Sequence, residues 1–232
     1  MFIFIMGVEG SGHHMMQDVL SPLISNDSKT LNINKVDRLN YFLRTLDLPN
    51  FFENMPQDEK TRFINKKKFN LEDYLKDLQF KSYEYFYFSP SYPFGLDNRM
   101  HAIPSFPLIY NELKIYLNNR FKVIYLNRNL AECTQSILNR QHDNNEIVAS
   151  RTIFNAHNEI LNQLLYIRKS TDLEVFEVDY DKIKNNKDEY KYGLANFLSI
   201  NSSNILIDNV KDIPKKDVSP NINRFFDIRN LK

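Results

Sequence analysis

The stretch "FIMGVEGSGHHMM" (4–16) constrains the fold more than any other part of this chain. Residues 2–6 are apolar and read as a buried strand, and Met15, Met16, Val19, Leu20 and Leu23 then recur at helical spacing up to the neighbourhood of Pro22. Gly7, Gly10 and Gly12 lie between the two, so the segment is a strand-to-helix turn. In such a unit successive backbone N–H groups point into one concavity, and the start of the helix adds partial positive charge. That shape cradles a phosphate; the glycines allow close approach, and Ser11 can add a hydroxyl.

The remaining apolar periodicities alternate strand with helix. "YEYFYFSPSYPFG" (83–95) sets Tyr83, Tyr85 and Tyr87 against Phe86 and Phe88, a strand with both faces covered that ends in a loop carrying Pro and Gly. A helix is predicted over 106–118, a buried strand at "FKVIYLNR" (121–128), and a helix whose inner face is Leu130, Cys133, Thr134, Ile137 and Leu138. A longer helix over 151–168 carries Ile153, Phe154, His157, Ile160, Leu161, Leu164 and Leu165 on one side, with His157 packed rather than ligating. "LEVFEVD" (173–179) is a further strand, and 180–199 a further helix; after 200 no strong periodicity remains. Crossovers of this kind imply a mainly parallel sheet. The charged stretch from about 36 to 80 reads as a helical insertion over the sheet, with helices near 37–46, 57–66 and 71–79, the last opened by Asn70 with Asp73 three residues on. The expectation is one α/β domain over 1–232.

Composition narrows the partners. Lys+Arg 30 against Asp+Glu 29 leaves a net charge of +1, which gives no global field for nucleic acid or an anionic membrane, so any anion must be caught locally. Cys133 is the only cysteine, which excludes a disulfide framework and points to a reducing, cytoplasmic setting. The opening apolar run lacks a basic leader and is too short for a secretion signal or a membrane span.

Two positions bear on chemistry beyond the loop. The phosphate-loop pattern GxxxxGK[ST] is met at Gly7 and Gly12, but His13 stands for its lysine and His14 for its magnesium-ligating hydroxyl. That argues against an ordinary ATPase or GTPase. In "VIYLNRNLAECTQS", Arg128 closes a strand and Ser136 lies about two turns into the next helix, so a guanidinium and a hydroxyl can meet a second phosphate outside the strand ends. The alternative is structural: Arg128 paired to a helix carboxylate such as Glu132.

Together "GVEGSGHH" and the Arg128 to Ser136 element resemble the sulfotransferases that use 3′-phosphoadenosine 5′-phosphosulfate (PAPS). "VDYDKI" (178–183) and "LANFLSI" (194–200) look like that family's late segments. The resemblance implies a three-layer P-loop-type α/β fold and transfer of sulfonate from PAPS to an acceptor hydroxyl or amine, with 3′,5′-adenosine bisphosphate (PAP) released. It implies that Gly10, Ser11, Gly12, His13 and His14 bind the 5′ side of the donor, that Arg128 and Ser136 bind its 3′-phosphate, and that no metal takes part. The acceptor would be a small molecule or a glycan, with no nucleic acid or membrane partner.

The chain departs from the family in one place that matters. The loop position that generally carries Lys or Arg is Gly10, preceded by Glu9, so the permanent cation beside the transferred group is gone. His13 or His14 is expected to donate to the phosphosulfate instead, a neighbouring dianion favouring imidazolium and the helix dipole disfavouring it. For the base that deprotonates the acceptor, "FSPSYP" offers Ser91 where many members have histidine, leaving His101 and Glu9 as candidates. Asp179 could mimic a magnesium-linked aspartate, but the partner hydroxyl after the loop is missing. A P-loop nucleotide kinase and a non-catalytic nucleotide-binding module are the competing readings.

Overall fold

The computed structural model describes residues 1–26, 28–44, 46, 70–90, 104–118, 120–139, 145–183, 185–210 and 217–230. Five strands, β1 (Phe2–Met6), β2 (Thr30–Asn32), β3 (Tyr85–Phe88), β4 (Phe121–Asn127) and β5 (Val175–Asp179), form one sheet in the order β2-β3-β1-β4-β5. Every pairing in it is parallel. A parallel strand at the centre of a sheet is covered on both faces, which is why β1 can be five apolar residues, all buried.

Side chains alternate between the two faces. Phe2, Phe4, Met6, Phe86, Phe88, Phe121, Val123 and Tyr125 point to one, and Ile3, Ile5, Tyr87, Ile124, Leu126 and Val178 to the other. Helices α1 (His13–Val19) and α2 (Ser21–Ile24) cover the second face. Helices α3 (Asp37–Arg44), α4 (Leu71–Asp77), α5 (Phe106–Leu117), α6 (Leu130–Leu138) and α7 (Glu146–Ser170) cover the first. The short α8 (Tyr180–Ile183) and then α9 (Lys187–Leu198) return to the second face, and α10 (Pro220–Asn230) closes the first. The first face is aromatic at its centre: Phe2 meets Phe121 and Phe4 meets Phe106, each with ring centroids 5.1 Å apart. Such pairs add about 0.5–1.5 kcal/mol each to the burial itself.

The topology locates a crevice. From β1 the chain turns to one face through α1, whereas from β4 it turns to the opposite face through α6. Adjacent strands whose connections part in this way leave an opening at their carboxyl ends, the place where open α/β sheets hold ligands. The register sets Met6 beside Tyr125, so the glycine turn emerges into that opening next to the end of β4.

Several elements differ from the sequence reading. The edge strand β2 was not expected: with three residues, including buried Thr30 and Asn32, it shows no run of apolar alternation. Thr30 is tolerated inside because its hydroxyl donates to the Leu23 carbonyl at 2.7 Å. The helix expected over 180–199 is two helices, and α7 begins at Glu146, five residues before the predicted start. On α7, Leu161 and Leu165 lie outside, 45% and 48% exposed, while Ala156, Gln163 and Ile167 are inside. The tail holds α10, which buries Ile222 and Phe226. Of the insertion, the first and third helices are present, and Asn70 Oδ1 accepts from the Asp73 N–H at 3.2 Å. The helix expected near 57–66 lies outside the described residues.

Candidate functional site

The turn after β1 is wound so tightly that its glycine positions leave little room for a side chain. A Cβ on Gly7 would lie 2.4 Å from Ser11 Oγ, and one on Gly10 would meet the Cys133 carbonyl oxygen at 3.0 Å and Ser136 Cβ at 3.2 Å. Gly10 and Gly12 have φ of 84° and 116°, backbone conformations that cost an L-residue dearly. The Ser11 N–H donates to the Val8 carbonyl at 3.0 Å, and Gly12 stands at the start of α1. Ser11 itself is fully buried, and its hydroxyl has no hydrogen-bond partner among the described residues.

The end of β4 supplies the opposite wall. Arg128 Nη1 donates to the Gly10 carbonyl at 2.8 Å and Nη2 to Glu132 Oε2 at 3.0 Å, while the guanidinium carbon lies 4.2 Å from the Tyr180 ring centroid. The Arg128 side chain is 6% exposed and that of Glu132 13%, so the pair is shielded from water. Asn129 fixes Glu132 in place by capping α6, its Oδ1 accepting from the N–H groups of Ala131 (2.9 Å) and Glu132 (3.2 Å). Tyr180 is wedged between Arg128 and the loop, since a Cβ on Gly12 would touch its ring at 3.0 Å. Arg128 Nε is buried and lacks a partner among the described residues.

The expected binding residues Gly10, Ser11, Gly12, Arg128 and Ser136 therefore meet at one place, with Ser136 buried against the loop. The structural alternative for Arg128, pairing with Glu132, is also what the geometry contains.

The histidines part company. His14 is exposed on α1, but His13 is built into the loop: Nε2 lies 3.0 Å from the Gly7 carbonyl and Nδ1 2.8 Å from Ser89 Oγ. A carbonyl can only accept, so Nε2 carries the proton and Nδ1 accepts from the Ser89 hydroxyl. Part of its surface remains accessible, yet burial of the ring, helped by the charge of Arg44 and by His14, outweighs the bond to Gly7 and lowers the pKa from 6.5 to about 4. In the ligand-free protein the His13 ring is thus neutral at pH 7, with both nitrogens engaged within the chain. Glu9 is half-buried in the turn. His101 and Ser91 lie outside the described residues. His157 is packed as expected, partly buried, with Nε2 3.4 Å from Tyr125 OH and its pKa lowered by burial.

Beyond Ser89 a polar ladder continues that sequence reasoning did not find. The Ser89 N–H donates to Asn34 Oδ1 at 3.2 Å, Asn40 Nδ2 donates to the Asn34 carbonyl at 3.2 Å, and Arg44 Nε donates to Asn40 Oδ1 at 2.6 Å. Arg44 arrives from the insertion, about thirty residues beyond the loop, and no spacing rule links the two. Tyr180 lay within the noted segment "VDYDKI", but its place against Gly12 is a matter of packing.

Among the described residues no group of three or more His, Cys, Asp or Glu side chains could hold a metal ion, and no helix is long and apolar enough to cross a membrane.

Strand order, glycine turn and crevice define a P-loop-type, three-layer α/β fold. No family model and no curated protein matches the chain. Among solved structures it matches the sulfotransferase domain from the Synechococcus PCC 7002 olefin synthase, with a TM-score of 0.50 and 15% identity over 96% of this chain and 82% of that one. At that identity the likeness is one of fold, and the fold is that of a sulfotransferase domain, as the sequence led us to expect.

Proposed function

We propose that the chain is a PAPS-dependent sulfotransferase, moving sulfonate to a hydroxyl or amine of a small molecule or glycan and releasing PAP. The observation that carries this reading is the meeting of Gly10, Arg128 and Ser136 in the crevice between β1 and β4, within a fold shared with a sulfotransferase domain. The residues fit such an anion. Ser11 Oγ and Arg128 Nε are buried polar atoms without partners among the described residues, and a buried donor left unpaired costs about 1–3 kcal/mol. A phosphate oxygen within reach of either would recover that cost.

In this reading the backbone of Gly10 to Gly12, with Ser11 and exposed His14, serves the 5′ side of the donor, and Arg128 with Ser136 serves the 3′-phosphate. His13 holds the loop rather than the ligand. Transfer would depend on positioning and on fixed donors around the developing charge. Glu9 and His101 remain the candidates for the base. No metal is assigned a role, and a cytoplasmic setting accords with the buried thiol of Cys133.

A thermal-shift comparison tests the reading. PAP should stabilise the protein without magnesium, and Arg128→Ala should weaken PAP binding roughly tenfold or more. Stabilisation by Mg-ATP alone would instead indicate a nucleotide kinase. Two observations favour a second reading: the Arg128 charge is paired with Glu132, and His13 is neutral, as a non-catalytic nucleotide-binding module would permit. PAP binding without sulfonate transfer in a broad acceptor screen would decide for that module.

A further inference from the structure

Helix α7 turns to the solvent a face that the crevice does not explain. Leu161 and Leu165 are 45% and 48% exposed on it, and Ile147, near its start, is 60% exposed. Single exposed apolar residues are ordinary, but these follow a spacing. Ile147, Leu161 and Arg168 stand seven or fourteen residues apart, and Arg151, Asn158 and Leu165 stand seven apart, four residues behind the first series. The stripe thus advances by fours and threes, the step at which one helix packs along another. At 1.5 Å per residue it runs for about 33 Å. Phe154 fills the remaining position and is partly covered from one side by Phe225 of α10, with ring centroids 6.4 Å apart.

The stripe is also positive. Arg151, Arg168 and Lys169 are exposed along it, and none of the three has an ion pair among the described residues. The two carboxylates of α7 are half-buried and engaged elsewhere: Glu146 accepts from Asn221 Nδ2 at 3.1 Å, and Glu159 from Gln163 Nε2 at 3.2 Å. With the whole chain at a net charge of +1, this is a local excess and not general basicity. Because α7 ends at Ser170, just before the amino end of β5, its Leu161 to Lys169 half lies away from the crevice at the carboxyl ends of the strands.

We propose that the outer face of α7 docks an acidic amphipathic helix of a partner protein. The partner's apolar residues pack on Ile147, Leu161 and Leu165, and its carboxylates meet Arg151, Arg168 and Lys169. A second copy of this chain docking through the same face would set cations against cations. The hydrocarbon of a lipid surface would take water from Asn158 and Asn162 and return no hydrogen bond, whereas a protein partner can return one. The assignment is independent of which nucleotide the crevice takes.

Fluorescence anisotropy with two labelled synthetic helices tests this. Both carry leucine at four-and-three spacing; one is flanked by glutamate, the other by lysine. Wild type should bind the glutamate helix roughly tenfold or more tightly than the lysine helix, with the difference shrinking as salt rises. Leu161→Ser combined with Leu165→Ser should abolish binding. Arg168→Glu combined with Lys169→Glu should reverse the preference toward the lysine helix, a selective gain that misfolding cannot produce. Equal binding of both helices, binding of neither, or a preference that survives the charge reversal would overturn the proposal. So would binding to phosphatidylserine vesicles in place of the glutamate helix, which would mark a membrane surface. A doubling of mass in sedimentation that Leu161→Ser abolishes would overturn it in favour of a second copy.

Discussion

On the β4 side of the glycine loop, Arg128 is satisfied within one turn of helix, meeting Glu132 at 3.0 Å and the Gly10 carbonyl at 2.8 Å. On the β3 side, Arg44 is joined to the same loop through a chain of serine, asparagine and histidine groups. The first arrangement is local and ionic; the second spans three segments of the chain, and every group between Gly7 and Arg44 is neutral at pH 7. A buried arginine beside a carboxylate has much of its charge balanced within the protein. It fastens the loop firmly and offers an incoming anion Nε, which has no partner among the described residues. A ladder of neutral groups holds the loop through the directions of its hydrogen bonds.

The largest expected effect breaks the ionic side. Glu132→Ala leaves the Arg128 guanidinium shielded and unbalanced, and should lower unfolding free energy by about 3 kcal/mol or more in chemical denaturation. PAP should then stabilise this variant more than it stabilises wild type, because the ligand returns the missing negative charge. A loss under half a kcal/mol would mean that the pair is not buried in solution.

A smaller effect tests the neutral side through pH. The folded-state pKa of His13, about 4, lies below its ordinary 6.5, so between those values the unfolded chain binds more protons. The stabilisation is complete above pH 6.5 and is lost as pH falls toward 4, amounting to about 2 kcal/mol by pH 5. His13→Gln should flatten the stability-pH profile over that window relative to wild type. Parallel profiles would show that the ring is not held neutral. Smallest is Ser89→Ala, which removes the hydroxyl that reaches Nδ1 and should cost about 1 kcal/mol, with His13 titrating nearer its ordinary value by NMR.

Much of this fold was legible because local signals agreed with burial. The five apolar residues of β1, the inner face of α6 and the glycines at 7, 10 and 12 occupy the places that their patterns predict. Legibility failed where an element depends on its neighbours. Thr30 and Asn32 are strand residues because β3 lies alongside, and α10 docks through Ile222 and Phe226 with Phe225 against Phe154, a grouping too short to stand out as periodicity. Leu161 and Leu165 are a miss of the opposite kind, since helical spacing does not say how wide the covered face of α7 will be.

At the site, Arg128 and Ser136 were readable because they share one strand and the helix that follows it, at a spacing that brings both to the loop. The two tasks open to Arg128 were both visible in the sequence, and contact geometry assigned it to Glu132 and Gly10. His13 looked like a lysine substitute because it stands in the lysine's place. Only folding revealed that its ring turns to Gly7 and Ser89, in a pocket where carrying a proton is unfavourable.

Sequence alone determined that a strand must run into a glycine-bounded turn and a helix, since φ values of 84° and 116° and the absence of room for a Cβ admit little but glycine. It also determined that strands and helices alternate, and so that the sheet is parallel. Tertiary structure decided which side chains meet in the crevice and which of them are charged there. Those outcomes depend on distance and burial between segments far apart in the chain, and neither quantity is written in local spacing.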